Sequence, residues 1–195
     1  MIRARVKLCL RVSICVLLLF PVISVITWGG TVSLTLSAAP GEVSRGGTLT
    51  FSSVIANSGV SSLGHAIPAA IGARFAEHKP TIAIIGDGGF QMCCMELMTA
   101  VNYDLPITVV MFNNSTMGLI RKNQYQSYEQ RYLDCDFVNP DYALLAKSFG
   151  IGFQHVETEA DLESLFEDTD FDKGINLVEI MLDKDAFPNY SSLRN

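Results

Sequence analysis

Two short polar clusters interrupt an otherwise apolar stretch of this chain. The first is Gly86-Asp87-Gly88-Gly89 and the second is Asn113-Asn114-Ser115-Thr116; each directly follows a run of aliphatic residues. One carboxylate, Asp87, and one amide oxygen, on Asn114, can hold a hard divalent cation if their loops are neighbours. Mg2+ takes few protein oxygens and completes its shell from phosphate and water. Gly88 and Gly89 carry no side chain, so their N–H groups can come close to a phosphate. A helix opening after the first cluster would add its positive end. The segment from Gly118 can start a second helix pointing the same way. Gly and Asp are also ordinary turn formers, so a lone Gly-Asp-Gly carries little. The two clusters together carry more, because Asp87 and Asn114 lie 27 residues apart, the length of one strand–helix–strand crossover.

The elements that must position these clusters are legible around them. Thr81 to Ile85 (TIAII) is an apolar run of strand length between Pro80 and Gly86, and Ile107 to Phe112 (ITVVMF) is a second, opened by Pro106. Between them, Phe90 to Asn102 reads as a helix with Phe90, Cys93, Cys94, Leu97 and Val101 along one face. The unit has the size of a right-handed βαβ with parallel strands. Upstream, Ile67 to Ala76 reads as a helix with Pro68 in its first turn. Downstream, Asn139-Pro140 predicts the N-cap and first turn of a helix that runs to Phe149 and ends at Gly150. Thr158-x-x-Asp161 opens another helix, after a late strand that carries His155. Ile175 to Met181 (INLVEIM) is a last buried strand. Fully apolar strands between helices imply a mostly parallel sheet covered on both faces. The expected fold class is therefore α/β with three layers, and ligands bind such sheets at the carboxyl ends of the strands.

The chain has 195 residues, 49% hydrophobic and 17% charged. That is enough for a sizeable core and excludes disorder over most of the length. A net charge of -6 argues against nucleic acid as a partner. The charge is uneven. Residues 1–50 hold five Lys+Arg and one Asp+Glu, a balance of +4, and residues 51–195 hold nine and 19, a balance of -10. Arg3, Arg5, Lys7 and Arg11 precede an apolar stretch from Val12 to Trp28, and Ser37-Ala38-Ala39 follows. This order is that of a secretory signal or a single short membrane anchor, with membrane contact through residues 12–28. Leu36 to Thr50 reads as a Ser/Thr/Gly-rich linker. Residues 1–50 are thus expected to be a signal-like or anchor-like segment with a linker, and residues 51–195 the folded domain. Five cysteines without a CxxC pair suggest neither a disulfide framework nor a zinc site. Cys93 and Cys94 read as buried helix thiols.

With these spacings, GDGGF…NN resembles the thiamine diphosphate motif. The stretches Asn57 to Gly64 and Ala66 to Ala73 are similar to the sequence before it in acetolactate synthases and related decarboxylases. So are Met95-Glu96-Leu97, Thr99-Ala100-Val101 and Gly118-Leu119-Ile120-Arg121, and Asn139-Pro140-Asp141 and Lys184-Asp185 with Phe187-Pro188 look like acetolactate synthase. The resemblance covers about Phe51 to Ser192. It implies that Asp87 and the Asn114 side chain ligate Mg2+, with the Thr116 carbonyl as a third protein ligand. It implies that the Gly86 turn and backbone groups at Gly88, Gly89, Met117 and Gly118 hold the diphosphate. It implies that Leu63 wedges between the two rings of thiamine diphosphate and bends it, and that the Ser61 carbonyl receives the pyrimidine amino group. The bent cofactor then deprotonates itself and attacks the carbonyl of a 2-oxo acid, and CO2 leaves.

Each of these residues has a plainer reading. Leu63 before a helix fits the core; His65 fits a packed or exposed histidine; Glu96 fits helix surface or an interface. Arg121-Lys122 could face substrate, but a solvated basic pair is the ordinary reading. His78 and His155 receive no role. In the resembling family a pyrimidine-binding domain and a middle domain precede the diphosphate-binding domain, and residues 1–50 match neither. The expectation is a truncated or split product, or a subunit that pairs with a separate pyrimidine-binding chain, in a homo- or hetero-oligomer. The family is cytoplasmic, which weighs against export or anchoring. The expected activity is acetolactate synthase-like carboligation, with another 2-oxo acid decarboxylase or acyl-CoA lyase second and a non-catalytic, membrane-tethered relic third.

Overall fold

The computed structural model describes residues 7–12, 28–37, 45–53, 62–78, 80–171 and 173–186. Its centre is a four-stranded sheet made of β4 (Ile82–Gly86), β5 (Ile107–Asn113), β6 (Gly152–Val156) and β7 (Ile175–Met181), in the order β4-β5-β7-β6. All three pairings are parallel, as the apolar strands predict. Helices α1 (Ala66–Glu77), α2 (Asp87–Cys93), α3 (Leu97–Asn102), α4 (Gly118–Ser127), α5 (Tyr142–Phe149) and α6 (Glu159–Asp168) connect and flank it.

Alternation along the strands builds two cores. Ile107, Val109 and Met111 of β5 and Leu177 of β7 pack with Ile67 and Ile71 of α1, Phe90 of α2, Leu97 of α3 and Phe149 of α5. Val110, Val178 and Ile180 point the other way and pack with Leu162 and Leu165 of α6. The sheet is thus covered on both faces, which explains strands with no polar face.

Several boundaries differ from expectation, each for a physical reason. The helix expected from Phe90 begins at Asp87, so Asp87, Gly88 and Gly89 form its first turn, and Gly86 is its N-cap. It does not run unbroken to Asn102: Cys93 adopts φ -140°, and Cys94–Glu96 forms a 3-10 turn before α3. Cys93 and Cys94 are half-buried rather than buried. The N-cap of α5 is Asp141, whose side chain accepts from the Leu144 N–H at 2.9 Å, and not Asn139. Gly150 does end that helix in the left-handed region, and Thr158 and Asp161 do form a capping box. The expected linker carries structure. β1 (Lys7–Val12), β2 (Trp28–Ser37) and β3 (Arg45–Ser53) form an antiparallel sheet in the order β1-β2-β3. Val32, Leu34 and Leu36 alternate with Thr31, Ser33 and Thr35, a period-two pattern that suits a strand. Residues 13–27, most of the expected apolar anchor, lie outside the described residues. Among the described residues no helix is long and apolar enough to cross a membrane.

Phe90 is fully buried and meets the Tyr142 ring edge-on, with centroids 5.4 Å apart. It ties the turn that carries Asp87 to α5. Phe90→Ala should cost about 3–5 kcal/mol of folding stability, read as a lower urea midpoint; an unchanged midpoint contradicts this packing.

Candidate functional site

Parallel pairing puts the two polar clusters at one edge of the sheet. Gly86 is in register with Phe112, so both chains leave the sheet at the same level. Asp87 is the first residue beyond β4 and is 2% exposed. Its Oδ1 accepts from the Gly88 N–H at 2.9 Å. Its Oδ2 accepts from the Ser115 N–H at 2.8 Å and from the Asn139 amide at 2.9 Å. The Ser115 bond joins the two loop tips directly. Ser115 sits at φ 53°, in the left-handed region, an arrangement that clusters at ligand sites because surrounding structure must hold it there. Burial pushes the Asp87 carboxyl up from its ordinary 3.8, against the opposing pull of the Asn139, Gly88 and Ser115 donors. A bound cation would act in the opposite sense.

Asn114 is half-buried, and its Oδ1 accepts from the Thr116 N–H at 3.4 Å. Thr116 is buried and donates through Oγ1 to the Cys135 carbonyl at 2.9 Å. Met117 lies across the first tip: a Cβ on Gly88 would come within 2.9 Å of its Sδ. A Cβ on Gly118 would approach the Asn114 amide nitrogen to 3.1 Å. Both glycines are therefore in close quarters that a side chain would fill. Helix α4 begins at Gly118 without a side-chain cap, so its first N–H groups are available to an anion. Asp87 and Asn114 offer oxygen ligands, which suits Mg2+. A carboxylate has about four acceptor positions, and three donors occupy Asp87, so capacity is left for a cation.

The second tip is held from behind. The Met117 N–H donates to the Cys135 carbonyl at 2.7 Å and the Phe137 N–H to the Ser115 carbonyl at 3.1 Å. Arg121 donates through Nη1 to both Asp136 oxygens at 3.0 Å, and through Nε and Nη2 to Asp185 Oδ1 at 3.1 and 2.8 Å. Its guanidinium stacks on Tyr132, 3.9 Å from the ring centre. This corrects the expected solvated pair: Arg121 and Lys122 are both buried. A planar fork with two carboxylates and an aromatic face can be buried where an isolated charge could not.

Leu63 is 49% exposed, so the core reading of it does not hold. It precedes Gly64, where a Cβ would lie 3.4 Å from the Cβ atoms of Met92 and Cys93. Ser61 lies outside the described residues. Glu96 is exposed, as expected for helix surface. Burial pushes the Cys93 thiol up to about 11, helped by the neighbouring Cys94, so it stays protonated and inert near neutral pH.

Sequence reasoning missed the network behind Asp87, which joins Asn113, Asn139, Glu179, His155 and Glu157. Asn113 donates to Glu179 Oε1 at 2.6 Å and accepts from Asn139 at 2.7 Å. His155 Nδ1 lies 2.7 Å from Glu179 Oε2, and its Nε2 lies 3.1 Å from Glu157 Oε1. The available signal was Glu179 itself, a carboxylate inside the apolar strand INLVEIM, which must find partners to be buried there.

An α/β domain with oxygen ligands and open backbone N–H groups at the carboxyl edge of a parallel sheet is of the class suited to a diphosphate carried on a divalent cation. Residues 45–180 match the family described as thiamine pyrophosphate enzyme, C-terminal TPP binding domain, and the chain belongs to that family. The cofactor of the family is thiamine diphosphate with Mg2+. The acetolactate synthase isozyme 2 large subunit of Escherichia coli (strain K12) is 33% identical over 132 residues, 67% of this chain and 24% of that protein. The acetolactate synthase large subunit of Lactococcus lactis subsp. lactis (strain IL1403) is 37% identical over 139 residues, 67% of this chain and 23% of that protein. That of Cyanidium caldarium is 39% identical over 116 residues, 58% and 20% of the two chains. This chain therefore spans about a quarter or less of the length of these relatives.

His155 gives a pH-dependent contribution of definite sign. Burial alone would lower its pKa, but hydrogen bonds to Glu179 and Glu157 outweigh it and hold the imidazole above its ordinary 6.5. The stability it adds is fully present below about pH 6.5 and is lost as pH rises through the raised value. An NMR titration should give His155 a midpoint above 6.5, lowered by Glu157→Gln; a midpoint at or below 6.5 in the parent protein contradicts these contacts.

Proposed function

We propose that this chain binds thiamine diphosphate through Mg2+ and serves as the diphosphate-binding domain of an acetolactate synthase-like carboligase. One observation carries the reading: the 2.8 Å bond from the Ser115 N–H to Asp87, which joins the two polar tips at one sheet edge. Asp87 and Asn114 ligate the cation through side-chain oxygens and Thr116 through its carbonyl. The Gly86 turn and backbone groups at Gly88, Gly89, Met117 and Gly118 hold the diphosphate, with the Gly88 and Met117 N–H groups already engaged by Asp87 and the Cys135 carbonyl. Gly88 lacks a side chain because Met117 occupies the space a Cβ would need. When bound, the thiazolium ring supplies an electron sink for cleaving and forming bonds next to a carbonyl. Leu63, exposed beside the first tip, presses on the cofactor between its rings, and the Ser61 carbonyl accepts from the pyrimidine end.

The substrate in this reading is a small 2-oxo acid such as pyruvate, decarboxylated and joined to a second oxo acid. The names of the similar proteins favour this over another decarboxylase or an acyl-CoA lyase. The pyrimidine ring faces a pyrimidine-binding domain, on another chain or elsewhere in the protein. Exposed Leu63 and Met92, on either side of Gly64, support this, since apolar side chains exposed beside a site suit a covering partner. Several relatives are named as large or catalytic subunits, which supports an oligomer.

Calorimetric titration with thiamine diphosphate tests the reading. Binding should require Mg2+, and Asp87→Ala should weaken it by at least about 100-fold, beyond the range seen when only supporting residues are lost. Gly88→Ala should weaken it by closing the gap under Met117. Magnesium-independent binding, or unchanged affinity in Asp87→Ala, contradicts the assignment.

A further inference from the structure

Glu179 is 7% exposed, on a strand otherwise built of apolar residues and one asparagine. It lies on the same face as Leu177, toward the core shared by α1, α2 and α5. Its two oxygens are both engaged, Oε1 by the Asn113 amide at 2.6 Å and Oε2 by His155 Nδ1 at 2.7 Å. A carboxylate only accepts. Glu179 therefore decides which end of the Asn113 amide faces it, and that end is the NH2. The Asn113 oxygen is left facing the site, where it accepts from the Asn139 amide at 2.7 Å and the Ser115 N–H at 3.1 Å. Asn139 is oriented in turn. Its NH2 points at Asn113 and at Asp87 Oδ2, and its oxygen accepts from the Tyr142 hydroxyl at 2.7 Å and the Gln91 amide at 2.6 Å. Reversing Asn113 would set its NH2 against that of Asn139, and reversing Asn139 would set its oxygen against those of Asn113 and Asp87. Asn139 thus donates both to Asp87 and to Asn113, and Asn113 donates on to Glu179, so a carboxylate accepts at each end.

We propose that Glu179 is a positioning residue for the cation-binding carboxylate: by accepting from Asn113 it sets the direction of the Asn113–Asn139 amide pair and so fixes the rotation of Asp87. The inference rests on the role proposed above for Asp87. His155, bridging Glu179 and Glu157, is the outer end of the same chain of contacts. A local role for Glu179, pairing with His155 to hold β6 against β7, would need neither Asn113 nor Asn139. The two roles therefore differ in what happens to amides on other elements.

The experiment uses the full chain labelled with 15N. In the parent protein the side-chain NH2 protons of Asn113 and Asn139, assigned by their loss in Asn113→Asp and Asn139→Asp, should exchange slowly with water. In Glu179→Met, similar in size and without an acceptor, both amides should shift and exchange at least tenfold faster. Glu179→Gln, which keeps one oxygen, should restore much of the protection. In a second arm, Mn2+ binding in the presence of thiamine diphosphate is read by electron paramagnetic resonance. Glu179→Met should weaken it by about tenfold or more, the range for groups that orient metal ligands. Unchanged amide spectra and Mn2+ affinity in a folded Glu179→Met overturn the proposal. So do rapidly exchanging Asn113 amide protons in the parent protein, a result that stands even if Glu179→Met does not fold. The amide arm needs no cofactor. If the amides respond as stated and the parent protein binds no Mn2+ with thiamine diphosphate, it is the role of Asp87 that fails, and Glu179 is then a positioning residue for a carboxylate with another use.

Discussion

A carboxylate buried at the end of a parallel strand must be supplied with donors, and much of this molecule is arranged around that need. Asp87 leaves β4 as the first residue of α2, where the helix end favours a negative charge. Its remaining donors come from elsewhere. Ser115 can reach it only because β5 lies beside β4 in parallel register, and only because the chain turns left-handed just after Asn114. Asn139 can reach it only because α5 is capped by Asp141, which frees Asn139 to turn inward. An unpaired buried carboxylate would cost several kcal/mol, so these elements are coupled through one side chain.

The scaffold behind the site is rigid and the supports are redundant. β5 is buried on both faces and sits between β4 and β7. The second tip is fastened by backbone bonds to the 135–137 segment and by the Arg121 fork to Asp136 and Asp185. Binding groups on a fixed frame lose little freedom when a ligand arrives. Among the exposed apolar residues, Leu63 and Met92 lie around Gly64, next to the first tip.

Much of this was legible in the sequence because it depends on local pattern. The parallel sheet follows from apolar strands spaced by helices, and the common edge of Asp87 and Asn114 follows from the length of one crossover. The α6 capping box and the Gly150 stop are local chemistry. What was not legible depends on contacts between distant segments. Asn139 reads as a helix cap until α5 is docked, because nothing local shows that Asp141 takes that place. Arg121 reads as a solvated charge until Asp136 and Asp185 are brought to it from 15 and 64 positions away. The role of Glu179 needs Asn113, 66 positions distant. The strands before residue 53 were hidden for another reason. Their Ser, Thr and Gly content, with Gly46-Gly47 in β3, is equally the composition of a linker.

In the proposed function two loop tips close on one cation. Crystals grown with thiamine diphosphate and Mn2+ test it most directly, because the anomalous signal of Mn2+ locates the ion without reference to the protein. The ion should lie about 2 Å from a carboxylate oxygen of Asp87 and from the Asn114 amide oxygen, with diphosphate oxygens on its other side. A diphosphate bound at this edge with Mn2+ absent, or held by residues other than Asp87 and Asn114, would contradict the account.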